Sequence, residues 1–506
     1  MTKPDRLRLV HAATRTAVVE LMREGGTYAL PSPLDWTLHR DGVVAARGHT
    51  DRHVFTLCGL APDTPYLLAS HEYEPLPLRT MAETALVSIR DHGANPDADD
   101  NSAAIQAAIA AAPEGATVVI PPGPWASGPL FLKSHLTLLL EKGATLKGLA
   151  DRRLYPALPA YDASGRMLGS WEGEPAATYA SLLTAIGATN LTITGEGVID
   201  GNAAAGDWWD WPKETRNGLR RPRTLFFSGC RDITITGIAV RNSPSWTIHP
   251  LDCEGVLAAD LLVENPKESP NTDGLNPESS RHIRILGVHF SVGDDCIAIK
   301  AGKRGSHAYP HRPTSDVEIR RCLMEFGHGG VVIGSEMSGG VEDVRVANCR
   351  FVNTDRGLRI KTRRGRGGHV RHVSFADVEM DGVLTPLSIN GFYFCDPDGR
   401  SPQVQSRTPA PIGEDTPAIS DISFTRVSAR NVHHAAAHVL GLTEAPVERL
   451  VIADYVVAFA PEAEAGPPDM ASDLPDLRHA GIVIANATAP EVSGVTFLSE
   501  PSGTPP

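Results

Sequence analysis

"DVEIRRCLMEF" (Asp316–Phe326) and, a little further on, "DVRVANCRF" (Asp343–Phe351) decide how this chain folds. Each opens on a turn-forming residue and continues as a short β-branched run, and related stretches stand on either side: "DITITGIAV" (Asp232–Val240), "GVLAADLLVEN" (Gly255–Asn265), "HIRILGVHF" (His282–Phe290) and "HVSFADVEM" (His372–Met380). The equivalent apolar positions are Ile233, Val256, Ile283, Val317, Val344 and Val373, spaced 23, 27, 34, 27 and 29 residues apart. A period in this range, written in strands, describes a solenoid whose coils stack to bury a shared core. Propeller blades need about 40–45 residues, and no Leu/Asn consensus of a leucine-rich repeat is present. The reading is an all-β chain built on a right-handed parallel β-helix.

Upstream of the repeat, "DDNSAAIQAAIAAAPEG" (Asp99–Gly115) predicts one helix. Asp100, Asn101 and Ser102 are N-cap candidates, Ile105 and Ile109 share a face, and Pro113 with Gly115 ends it. A single helix among strands suits a cap over an exposed sheet end. Residues 1–80 form a separate module of short alternating strands, and 81–506 the β-helix domain. In the module, Trp36 followed by "LAPDTPY" (Leu60–Tyr66) resembles a fibronectin type III sandwich, with Tyr66 at its tyrosine corner. The closing "PSGTPP" reads as a frayed tail.

The 506 residues carry a net charge of −13 with pI near 5.8, which disfavours a nucleic-acid binder, since that needs a broad basic face. No run of about 18 apolar residues marks a membrane span, and "MTKPDRLRLVHAATRT" lacks the apolar stretch of a secretory signal. The chain as written is therefore expected to be cytoplasmic, or periplasmic or secreted if a leader has been removed. Seven scattered cysteines without a C-x-x-C pair disfavour a disulfide framework and a zinc site. No cofactor or metal is expected.

Equivalent positions on adjacent coils of a parallel β-helix lie about 4.8 Å apart, so polar residues recurring once per coil gather on one face. Asp273 precedes Asp294 by 21 positions, Asp295 precedes His328 by 33, and His328 precedes Arg359 by 31. Arg359 and Lys361, two apart, share a side of a strand, and Gly293 permits a bend that turns both Asp294 and Asp295 toward the same cleft. Carboxylates, a histidine and two cations on one surface describe an acid/base site for something anionic. Glycosidic cleavage needs one protonated carboxyl for the leaving oxygen and one ionised carboxylate to activate water, and crowding carboxylates raises one pKa.

"NTDG" (Asn271–Gly274), "GDD" (Gly293–Asp295), "GHG" (Gly327–Gly329) and "RIK" (Arg359–Lys361), in this order and spacing, resemble the signature motifs of the polygalacturonases, glycoside hydrolase family 28. The likeness runs from about Val87 to Ala460 and takes in "ITGEGVIDG" and "SPSWTIHP"; "HGGVVIGSEMSGG" and "GLRIKTRRGRGG" resemble the bacterial branch, and a leading type III module is similar to bacterial exo-acting members. The resemblance implies inverting hydrolysis of α-1,4-linked galacturonate in polygalacturonate or oligogalacturonates. It implies Asp294 as general acid, Asp273 and Asp295 as holders of the water, and His328 as keeper of the acid's protonation. Arg359 and Lys361 would bind the substrate carboxylate, with Asn271 and Tyr393, in "NGFYFCDPDG", as further substrate contacts.

Each motif alone has a plainer reading, since "NTDG" is ordinary turn chemistry and "RIK" an ordinary exposed strand; their joint order and spacing favours the site. "TRRGRGG" (Thr362–Gly368) is expected to hold further substrate carboxylates. "DWWDWP", with Trp208, Trp209 and Trp211, stacks on sugar or packs its own insertion with equal weight. The stretches 151–179 and 206–223 are candidates for walling off one end of the cleft, as exo action requires. The competing functions are hydrolysis of rhamnogalacturonan or another decorated pectin, a calcium-dependent lyase, and a non-catalytic carbohydrate-binding solenoid.

Overall fold

Asp232, Gly255, His282, Asp316, Asp343 and His372 all adopt left-handed backbone, with φ between 50° and 72°. Each stands immediately before one of the six repeated apolar residues. Asp, Asn, His and Gly reach this region more readily than other residues, so the recurring turn residue marks the corner where each coil bends into its strand. The computed structural model describes residues 6–305 and 312–498; the terminal "PSGTPP" lies outside the described residues.

The coils stack in the register the repeat requires. Ile233 pairs with Val256, Val256 with Ile283, Ile283 with Val317, Val317 with Val344 and Val344 with Val373, all parallel. These six side chains are buried in one core that runs the length of a 22-stranded parallel sheet. Phe351, Phe375, Phe424 and Tyr455 stack through successive coils with ring centroids 5.2 to 5.6 Å apart. The opposite wall is a second parallel surface, made of Leu130–Leu132, Leu183–Ile186, Leu225–Ser228 and Ile248–Leu251, then six strands from Ile297–Ile299 to Ala480–Ala485. Parallel bridges through Leu275 and Glu278 join its two halves. The molecule is a right-handed parallel β-helix, and this second surface is the floor on which the site is built.

The helix α1 spans Ser102–Ala111 with Asn101 as N-cap. Ile105 and Ile109 enter the same core as Leu130 and Leu136, so α1 closes the first coil as expected. Ser102 N donates to Asp100 Oδ1 at 2.8 Å, while Asn101 Oδ1 accepts from Asn95 N at 2.7 Å and ties down the preceding loop. All seven cysteines are free, five of them buried.

Before the β-helix, strands β1 (Arg6–Ala12), β2 (Ala17–Met22), β3 (Ala29–Arg40), β4 (Val43–Arg52), β5 (Val54–Leu57), β6 (Pro65–Ala69) and β7 (Leu76–Arg79) form two antiparallel sheets, β1-β2-β5 and β4-β3-β6-β7. Val19, Leu38, Phe55, Tyr66 and Leu68 form their shared core, and Trp36 stacks on Phe55. The Tyr66 hydroxyl accepts a hydrogen bond from Ala61 N at 2.8 Å, the backbone tie expected of a tyrosine corner. This sandwich sits on the 22-stranded sheet, where Val18 and Val54 meet Leu257, Ala259 and Leu286. Among the described residues no helix is long and apolar enough to cross a membrane.

Candidate active site

A cavity of about 380 Å³ opens over the floor strands, and all eight residues singled out from the sequence line it: Asn271, Asp273, Asp294, Asp295, His328, Arg359, Lys361 and Tyr393. Asp294 and Asp295 can both face it because they occupy the bend between the strands His289–Val292 and Ile297–Ile299, where side-chain alternation no longer holds. Gly293 keeps ordinary backbone there. Its constraint is space, since a Cβ would come within 2.5 Å of Ser269 O. The "GHG" glycine Gly327 is required twice over, by φ of 75° and because a Cβ would lie 2.3 Å from Asp294 O. The motif thus brings His328 beside Asp294, with His328 Nδ1 and Asp294 Oδ1 3.2 Å apart.

The three aspartates offer oxygens all within 4.8 Å of one another, and each carboxylate has a different partner. Asp273 Oδ2 accepts from Asn276 Nδ2 at 2.8 Å. Asp295 Oδ2 accepts from Lys361 Nζ at 2.8 Å, while its Oδ1 is buried with no partner among the described residues. Asp294 Oδ1 accepts from Asp295 N at 2.9 Å as well as facing His328, which leaves Oδ2 for a proton or a substrate. Burial, with Asp294 and Asp295 alongside, pushes Asp273 up to about 8. Burial also acts to raise Asp294, but the hydrogen bond and charge of His328, with Lys361 and Lys300, outweigh it and hold the group well below the usual carboxylate range. His328 in turn is raised to about 9 by its hydrogen bond to Asp294, against burial. These three aspartates form the one carboxylate group among the described residues spaced as a cation site would be; Lys361 on Asp295 and His328 on Asp294 already supply positive charge there.

Further residues complete the cavity. Lys300, five residues after Asp295, pairs with the buried Glu336 at 2.7 Å and lies 4.7 Å from the ring centre of Trp246. Arg359 donates to Asp469 at 2.6 Å, and Ser388 donates to the same carboxylate. Tyr393 lies beside both Arg359 and Lys361, with its ring centre 5.3 and 5.2 Å from their cationic groups. Asn271 Oδ1 accepts from Arg221 Nη2 at 2.6 Å, turning its amide nitrogen away from that partner. Asp469 sits in the loop 461–479, outside the repeat, so no periodic signal points to it. Trp246 stands inside the quoted "SPSWTIHP" and Lys300 five residues after Asp295 on the same coil, so both were within reach of sequence reading.

Both candidate wall segments reach the cavity, through Glu172 and Lys213, which pair with each other. Gly173, at the tip of the hairpin Ser170–Trp171/Glu174–Pro175, accepts from Lys303 N at 2.9 Å, and Lys303 pairs with Asp396 at 3.3 Å. One expectation is corrected and one left open is decided. The arginines of "TRRGRGG" are buried and committed to the protein, Arg363 to Asp396 and Asp398, Arg364 to Glu444, and Arg366 to Asp396 and Ser335 O. Guanidiniums paired to carboxylates of the protein in this way are not free to receive a substrate carboxylate. In "DWWDWP", Trp208 and Trp211 are buried with Tyr155 and Tyr179, and Trp209 donates to Ser243 O; the aromatic run packs its own insertion.

The family model described as Glycosyl hydrolases family 28 matches residues 169–459, which contain all four motifs. A probable polygalacturonase from Vitis vinifera is 31% identical over 70% of this chain and 69% of its own length. An exopolygalacturonase structure from Thermotoga maritima is 25% identical, with TM-score 0.66 over 81% of this chain and 91% of that one. The family 28 exopolygalacturonase of Yersinia enterocolitica, at 21% identity, shares the fold with TM-score 0.72 over 99% of this chain and 98% of that one.

Proposed function

This chain belongs to glycosyl hydrolases family 28, and from that premise we propose that it hydrolyses α-1,4-galacturonosidic bonds of polygalacturonate and oligogalacturonates from a chain end, with inversion. The observation that carries the reading is the meeting, in one cavity, of three carboxylates within 4.8 Å and a floor of lysine and arginine. A neutral sugar would need no such cations; a uronate does. Asp294 is the general acid, protonating the leaving oxygen from Oδ2 while Oδ1 is held by His328 and Asp295 N. Asp273 and Asp295 hold and deprotonate the water, for which the unpartnered Asp295 Oδ1 is the acceptor. Arg359 and Lys361 take the substrate carboxylate against the face of Tyr393, and Asn271 contacts the sugar.

In the free protein the cluster's proton rests on Asp273. An anionic sugar placed on Lys361 offsets part of the positive charge that, behind His328, helps keep Asp294 ionised, and so moves the proton toward Asp294 where the leaving oxygen needs it. The aspartates stand closer than the roughly 6.5–9.5 Å usual for an inverting pair, so inversion rests on the family resemblance and on a water held by two carboxylates at once. Exo action is supported by Glu172, Lys213 and the Gly173 turn across one end of the cleft, and by the likeness to the Thermotoga maritima enzyme. We propose further that the catalytic unit begins near residue 81 and that residues 1–80, of fibronectin type III type, brace it.

The test is a time course on polygalacturonate and trigalacturonate, with products separated, reducing ends and ultraviolet absorbance recorded, and the first anomer read by proton NMR. Monogalacturonate or digalacturonate as the only early product, of inverted configuration, is expected. A ladder of oligomers would overturn exo action, retained configuration would overturn inversion, and new absorbance would mean a lyase.

A further inference from the structure

Six basic side chains line the cavity, and five have an acidic partner. Lys213 is on Glu172, Lys300 on Glu336, His328 on Asp294, Arg359 on Asp469 and Lys361 on Asp295. Arg356 is the exception. Its side chain is buried against the cleft, and its hydrogen bonds go to backbone carbonyls alone, Nη1 to Asp355 O and Nη2 to Pro467 O, each at 2.9 Å. Each terminal nitrogen gives one of its two hydrogens in this way, and Nε has no partner among the described residues. Asp469 and Asp355 act on this charge from a distance, but neither makes an ion pair or hydrogen bond with it among the described residues; a buried charge without a direct partner is costly, and such a group persists where something else can supply one. The contrast with Arg359 agrees. Burial keeps Arg356 below the ordinary guanidinium value in spite of the more distant charges of Asp469 and Asp355, whereas Arg359, against burial, is held above it by its direct pair with Asp469.

From this geometry we infer that Arg356 is a substrate-binding residue, the fork that receives the carboxylate of a uronate unit in addition to the one taken by Arg359 and Lys361. Arg356 opens the strand Arg356–Lys361, three residues before Arg359, and it lines the cleft beside Asp355 and His328. The other five cations arrive in direct ion pairs, so Arg356 is the one among the described cleft residues whose fork an incoming carboxylate can take directly. It also makes the enzyme sensitive to esterification, because a methyl ester removes the charge that completes the pair and leaves Arg356 buried and unpaired.

The inference rests on the reading of the chain as a galacturonan hydrolase. Its test is a comparison of wild type, Arg356→Gln and Arg356→Lys on oligogalacturonates and on their partly methyl-esterified counterparts. For Arg356→Gln the loss should fall on KM for the acid substrate, about 10- to 100-fold with kcat changed by less than about threefold, the scale of a lost charge-assisted hydrogen bond. The preference for acid over ester should shrink about tenfold. Arg356→Lys should recover part of both, since an ammonium restores the charge but not the fork. Equal losses on acid and ester, or a loss confined to kcat, would overturn the inference and leave Arg356 as an anchor of the loop at Pro467; an unmoved KM would do the same. Should wild type fail to cleave galacturonan, the functional reading falls, and calorimetric titration of digalacturonate into wild type and Arg356→Gln still decides the matter: equal affinities would refute a carboxylate fork.

Discussion

Asp273 and Asp294 are the same residue type one coil apart, yet their surroundings drive them in opposite directions. Burial and two carboxylate neighbours push Asp273 up to about 8 against the hydrogen bond from Asn276, while Asp294, also buried, is held low by His328. The value of kcat/KM reports ionisations of the free enzyme. If the cluster must keep one carboxyl proton to pass to the leaving oxygen, kcat/KM should fall as pH rises through about 8. A profile flat to pH 10 would contradict this. Stability follows the same sign. Folding raises both groups, Asp273 to about 8 and His328 to about 9. Their contribution is fully present below their unfolded values and is lost as pH rises through the folded ones. Tm measured from pH 7 to pH 10 should therefore decline, and less steeply in His328→Gln. The same variant frees Asp294 from the charge that keeps it ionised, so the acid limb of kcat/KM should move to higher pH, with kcat lower by about 10²-fold. At this scale the motifs were legible because the coil period aligns them. Asp469, Glu336 and Arg356 were not, since a carboxylate in a returning loop, or an arginine distinguished by lacking a partner, leaves no mark on spacing.

At the scale of elements, two kinds of segment build the cleft, and they differ in how much the sequence discloses. The coils declare themselves through a corner residue and the β-branched run behind it. Register is fixed because a slip of one position would turn Ile283, Val317 and Val344 out of the core. The hairpin Ser170–Pro175 has no such repeat, and its place is set by the turn at Gly173. That residue has φ of 81°, and a Cβ would lie 2.9 Å from both Glu336 Cβ and Lys303 N. Gly173→Ala therefore strains the turn and lifts the hairpin off Lys303. If this hairpin closes the end of the cleft, the variant should release longer oligomers early in the time course and act faster on polygalacturonate relative to trigalacturonate. An unchanged product pattern would place the barrier elsewhere, in the loop around Asp396. The aromatic insertion behind it was ambiguous in sequence for a physical reason: Trp serves equally well in a small core and on a sugar face, and only the burial of Trp208 and Trp211 separates the two.

Across the whole molecule, the N-terminal sandwich and the cleft occupy different faces of the solenoid. The sandwich packs on the 22-stranded sheet and the cleft opens over the floor strands, and the residues that meet in this packing, Val18, Val54, Leu257, Ala259 and Leu286, are not among those lining the cavity. Its attachment is polar as well as apolar. Glu20 in β2 is fully buried and accepts from Arg8 at 2.6 Å within the module and from Arg320 of the β-helix at 2.8 and 2.9 Å; Arg52 reaches Asp260 at 2.7 Å, and Thr16 shares a hydrogen bond with Thr194. Removing one partner of a buried ion pair costs about 3–5 kcal/mol when the other charge is stranded. In Arg320→Met, Glu20 keeps Arg8, so roughly 2 kcal/mol is the expected loss. Denaturant unfolding should register that loss while kcat and KM on polygalacturonate stay within about twofold, because the charge lies behind the core from the chemistry. A matching fall in activity would mean that the module transmits to the cleft through the coils. An unchanged unfolding midpoint would mean that the apolar contacts of Val18 and Val54 hold it alone.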